Sequence, residues 1–116
     1  MIEVVVNDFL NSPESKLDYP SFSEIPKKRP EHFYSVEKTG GSENNHLKKA
    51  TIVVQSHAKK SMYDAADMNE KVKEAMLERL IALGVIAGVE LNSDYNYTDT
   101  DMDEYRYQAV FDISHY

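Results

Sequence analysis

Residues 61–84, SMYDAADMNEKVKEAMLERLIALG, form the stretch whose start, period and end can all be read, and they predict one long amphipathic helix. Ser61 is placed to cap the first turn. Asp64, three residues on, is placed to reach back to the cap residue's backbone in an Asp version of the capping box. Asp64 and Asp67 also suit the positive end of the helix. Met62, Ala65, Ala66, Val72, Met76, Leu80 and Leu83 recur at helical spacing as one apolar stripe, interrupted by Asn69. Asp67, Lys71, Glu74 and Glu78 lie opposite. Asp67 and Lys71 attract four apart, whereas Glu70, Glu74 and Glu78 repel along their row, so the outer face gains little from charge. Gly84 is expected to supply a left-handed stop. The methionines read as core filling.

Working outward, Val85–Leu91 is short and apolar with Gly88 inside, which predicts a turn into a strand over Val89–Leu91. Asn92–Glu104 carries Asp94, Asp99, Asp101, Asp103 and Glu104 without one basic residue and reads as a hairpin tip. Tyr105, Tyr107, Ala109, Phe111 and Ile113 then alternate with Arg106, Gln108, Val110, Asp112 and Ser114, the pattern of a half-buried strand. On the other side of the helix, Leu47–Ala58 predicts a strand with Ala50, Ile52, Val54 and Ser56 on one face and Thr51, Val53, Gln55 and His57 on the other. HFYSVEK, 32–38, predicts its hairpin partner, broken by Thr39, Gly40 and Gly41 and joined through a long polar tip. Glycine freedom at positive φ is the expected use of Gly40-Gly41. Ile2, Val5, Val6, Phe9 and Leu10 predict a short helix that Asn11, Ser12 and Pro13 end. A proline-studded segment to Pro30 follows, with room for a short edge strand within 18–23. The expected fold is α+β, an antiparallel sheet of four or five strands packed against one long and one short helix, in a single domain over residues 1–116.

Composition narrows function. The chain has 116 residues, no cysteine and a net charge of −7, which excludes disulfides and thiol chemistry. Residues 1–60 carry a net +1 and 61–116 a net −8, unlike a free nucleic-acid binder. No apolar run approaches the roughly 20 residues that cross a bilayer, and MIEVVVNDFL does not read as a signal peptide, so no membrane is expected and synthesis is expected in the cytoplasm.

No motif predicts an enzyme. Asp99–Glu104, DTDMDE, opens like a calcium loop, but Glu104 stands where the turn glycine belongs and Val110 where the closing carboxylate belongs. His32, His46, His57 and His115 lack paired metal spacing. Neither a nucleophile elbow nor a phosphate-binding glycine loop is present. No cofactor, metal or catalytic residue is therefore expected. Tyr95, Tyr97, Tyr105 and Tyr107 cluster near the second hairpin, where they suit either an interface or sheet packing.

Arg29-Pro30, Phe33–Val36, Glu37-Lys38-Thr39-Gly40-Gly41, then ATIVVQSHA (50–58), MYDAADMNEKVKEAM (62–76), Gly84-Val85 and Tyr105-Arg106-Tyr107 follow in an order that resembles the tail terminator, or tail-completion, proteins of long-tailed bacteriophages. The resemblance spans residues 24–114, and the sequence departs from that pattern in Glu14–Pro26 and in the acidity of its second hairpin. It implies a non-catalytic virion protein at the tail-head joint. Six copies would form a ring on the end of the tail tube, stop its polymerisation and leave a channel for DNA, the free subunit being able to stay a monomer. The implied partners are other copies, the major tail tube protein and a head connector or stopper protein, with DNA only as passing cargo. Carried onto this chain, Thr39, Gly40, Gly41, Ser42, Glu43, Asn44, Asn45 and His46 would be a contact arm towards a neighbouring subunit or the tube. Asp94, Asp99, Asp101, Asp103 and Glu104 would line the channel, where like charge keeps phosphates from sticking. Two other readings stand beside this one: a different connector or stopper of the phage neck, and a non-enzymatic adaptor that binds one partner through a hairpin edge.

Overall fold

The chain runs α1 (Ile2–Leu10), β1 (Ser21–Phe22), β2 (His32–Asn44), β3 (Leu47–Ala58), α2 (Met62–Glu74, continued to Ala82), β4 (Ile86–Asn96) and β5 (Tyr105–His115). The computed structural model describes residues 1–44 and 46–116, the side chain of Asn44 excepted. Five strands form one sheet in the order β1-β2-β3-β5-β4. All pairs are antiparallel but β1–β2, which is parallel, so the α+β expectation holds with a mixed sheet. The two-residue β1 is held from behind. Asn11 accepts the Ser21 N–H at 2.8 Å and donates to the Ser21 carbonyl at 2.9 Å, a reciprocal pair that replaces a longer ladder.

Both helices lie on one face. Ala50, Ile52, Val54 and Ala58 of β3, with Ala109, Phe111 and Ile113 of β5, meet Ala65, Met68, Val72, Ala75, Met76 and Leu80 of α2 and its continuation. Ile2, Val6, Phe9 and Leu10 bring α1 against Tyr34 and Val36 of β2. Each fully buried large side chain here contributes about 1.5–3 kcal/mol, and together they fix which face of the sheet is inside. Met68 and Ala75 belong to the stripe although the sequence reading passed over them. Asn69 interrupts it as expected and is buried, with no partner for its Oδ1 among the described residues.

Ser61 caps α2 as predicted, its Oγ accepting the Asp64 backbone N–H at 3.1 Å. The reciprocal arm of the capping box is not made. Asp64 turns instead to His32 Nε2, 3.2 Å away on β2, and ties the helix start to the sheet. The far end differs more. After Glu74 the helix loosens into a π-turn (Ala75–Arg79), tightens into a 3-10 turn (Leu80–Ala82) and leaves in extended backbone at Leu83. No glycine has positive φ, so Gly84 is not the left-handed stop; the change of helical pitch ends the helix before it.

Thr39-Gly40-Gly41 does not break β2. Lys38 pairs with Ile52 and Gly40 with Thr51, leaving Thr39 as the extra residue of a β-bulge through which the strand continues to Asn44. Most of the expected polar tip is strand, β2 running to Asn44 and β3 starting at Leu47. Asn45 lies outside the described residues; His46 takes φ +67°, the left-handed region expected at the glycines. β4 is likewise longer than Val89–Leu91. Bulges between Ile86 and Gly88 and between Leu91 and Ser93 hide its alternation.

Candidate functional site

Among the described residues two stretches of sheet edge are open. β1 covers β2 only at Tyr34 and Ser35, so Val36–Asn44 presents an unpaired row of backbone groups, as does the outer side of β4. Within the expected contact arm, Thr39, Gly40, Gly41, Ser42, Glu43 and His46 are exposed. They do not form a free-standing arm. β5 pairs with β3 from Lys48–His115 to Ala58–Tyr105, and the ladder keeps this hairpin within the sheet. Gly41 is the crowded glycine: a Cβ there would stand 3.1 Å from Lys38 Cε and 3.2 Å from the Lys49 carbonyl oxygen.

The five acidic residues expected to line a channel separate into three groups. Asp99, Asp101 and Asp103 are exposed at the β4–β5 tip, where Asp99 Oδ1 accepts the Asp101 N–H at 2.9 Å and holds the turn. Asp94 is withdrawn to the helix side of β4 and pairs with Lys73 of α2. Burial alone would lower the Lys73 pKa, but Asp94 and Glu70 outweigh it and hold the ammonium above its usual range. Glu104 is buried and its carboxylate is not offered to a channel, because Arg29 and His57 draw it under the opposite face of the sheet. Among the described residues no group of three or more acidic or histidine side chains is placed to hold a metal.

That opposite face carries a polar relay missed at the sequence level. His57 is fully buried on β3, stacked on Phe33 of β2 at 4.2 Å between ring centroids and 3° between planes. Its Nδ1 lies 2.7 Å from Glu104 Oε1, and its Nε2 lies 2.9 Å from Ser35 Oγ. Arg29 Nη1 donates to the same Glu104 oxygen at 2.7 Å, while Oε2 finds no partner among the described residues. Desolvation pushes the His57 pKa below its ordinary value against the pull of Glu104, so the ring is neutral at pH 7. One signal was present in the sequence: Phe33, Val53 and His57 give β2 and β3 apolar or bulky residues on both faces, which a sheet with one bare face does not need.

Further along β5, Gln108 accepts from the Gln55 amide and donates to the Tyr95 hydroxyl, and Arg106 sits over the Tyr97 ring at 5.1 Å. Tyr95 and Tyr97 meet edge to face at 5.9 Å and remain 41% and 47% exposed, an aromatic pair offered to solvent rather than to the core. Among the described residues no helix is long and apolar enough to cross a membrane. Comparison with known proteins returned no matching family model and no matching curated protein.

Proposed function

We propose that this chain is a structural subunit of the phage tail-head joint, in which six copies close a ring on the tail tube, stop its growth and pass DNA to or from the head. The observation that carries the reading is the exposed edge of β2 from Val36 to Asn44, with its Thr39 bulge, lying on the residues through which the chain resembles tail terminators. An open edge on one side and a different open edge, β4, on the other suit heterologous contacts that close into a ring. Such a role rests on shape and contact. Asp99, Asp101 and Asp103 are the channel-facing charges of this reading, Asp94 and Glu104 being engaged within the fold.

Pre-formed tail tubes incubated with the purified chain test it. Binding confined to tube ends, with six-fold rings by negative-stain microscopy and an end to elongation, is the expected result. Tubes that grow unchanged and bind nothing remove the terminator reading. A single copy bound to one partner protein in their place would favour the adaptor reading.

A further inference from the structure

The Ser35–His57–Glu104 relay is more ordered than a buried histidine needs to be. A carboxylate only accepts, so His57 Nδ1 carries the ring proton towards Glu104, and Nε2 is left as the free base that accepts the Ser35 O–H. The lowered pKa of His57 keeps that base unprotonated at pH 7. Phe33 fixes the ring plane, and Arg29 fixes the carboxylate. Facing charges come from three elements: Glu104 before β5, Arg106 on β5 and Arg29 in the loop before β2. Ser35 itself is half-buried and borders a cleft of about 190 Å³ that Ile25, Val53, Gln55, Ser23 and Glu37 also line. Gln55 stands directly across the ladder from Ser35, and its amide nitrogen, which donates once to Gln108, carries a second N–H for an oxygen developing negative charge in the cleft.

We propose that Ser35, His57 and Glu104 form a nucleophile, base and orienting group, and that Ser35 is acylated by small, neutral carboxylic esters. Ser35 Oγ bonds to the acyl carbon while its proton passes to His57 Nε2. The tetrahedral adduct then breaks its bond to the alkoxide, which takes the proton from His57 and leaves as the alcohol. Water attacks the acyl-serine with its proton going to Nε2, the acid departs, and Oγ recovers the proton. Ester and water become acid and alcohol, with no other reactant. The cleft is smaller than the usual ligand pocket of about 300 Å³ or more, which restricts the acyl group to about the size of acetyl, and Glu37 at its rim disfavours anionic esters.

The test uses the intact purified chain, a fluorophosphonate probe and p-nitrophenyl acetate beside p-nitrophenyl octanoate. The expected result is one labelled serine, mapped to Ser35 by mass spectrometry, with acetate turned over in preference to octanoate. Label and turnover vanish in Ser35→Ala, and the rate falls about 100-fold in His57→Gln and in Glu104→Gln. The rate also stays flat as pH is lowered through about 6.5, the ordinary histidine value, because His57 titrates below it. Ser35→Ala removes one hydroxyl from a half-buried position, so circular dichroism shows it folded even if the His57 variant is not. A folded wild-type chain that takes no label, or a label that survives in Ser35→Ala, overturns the proposal and leaves the relay as a way of satisfying a buried histidine. Neither result bears on ring formation, which is read on tail tubes.

Discussion

Arg29 Nη1 lies 2.7 Å from Glu104 Oε1 although the two residues are 75 apart in the chain, and this pair joins the loop before β2 to the start of β5. The same oxygen holds His57, so deleting the carboxylate strands two donors at once. Glu104→Ala is expected to lower stability by about 2–3 kcal/mol, less than a fully buried pair because Arg29 is 27% exposed. Urea unfolding checks it, and Glu104→Gln, which keeps an acceptor for His57, loses less.

Acid acts through His57. Its native pKa lies below the unfolded value of about 6.5, so the unfolded chain binds the proton first. The stability it supports is complete above about pH 6.5 and is lost as pH falls from there towards the native pKa. His57→Gln is expected to flatten that part of the curve of unfolding free energy against pH, at some cost in stability throughout.

The adjacent glycines are expected to behave differently. At Gly40 a methyl group would meet only Thr51 Oγ1 at 4.0 Å, so Gly40→Ala is neutral or stabilises by about 0.5 kcal/mol. At Gly41 it would press on the Lys49 backbone carbonyl, which cannot swing away, and Gly41→Ala costs about 1 kcal/mol or more. Thermal melts of the two variants distinguish them.

Asn69 is buried in the apolar stripe of α2 with an amide oxygen that has no partner among the described residues. Asn69→Leu removes that desolvated oxygen at similar volume and is expected to raise stability by about 1 kcal/mol in urea titration. A loss would mean that the amide makes a compensating bond.

At the β4–β5 tip, Asp101→Lys and Asp103→Lys together are expected to leave the fold within about 0.5 kcal/mol of wild type, since Asp99 still holds the turn. Under the proposed function they impair DNA passage while tails still assemble. A phage carrying both changes with an undiminished titre would argue against a channel lining.

Local signals in the sequence reached far. Ser61, the helical stripe that follows it, α1 and the alternation of β3 and β5 were all legible, because each is a periodicity fixed by one buried face. What was not legible is what bulges and long-range pairing decide. Thr39 absorbs one residue and lets β2 run on, and the two bulges of β4 break the period of two that identifies a strand. Glu104 looked like the end of an acidic tip because its partners, Arg29 and His57, come from distant segments that nothing in the local sequence connects to it. The relay went unread for the same reason: Ser35, His57 and Glu104 sit on three elements that only the sheet brings together.

β5, last of the five strands in chain order, lies inside the sheet between β3 and β4. Until residues 105–115 exist, β4 has no neighbour to pair with, and β3 has one bare edge beneath α2. The earlier hairpin and helix can form, but only as an open sandwich whose apolar interior awaits an inner slat. Closing the core therefore depends on pairing residues far apart in the chain, and the strand that does so follows directly on Glu104, which Arg29 holds from before β2.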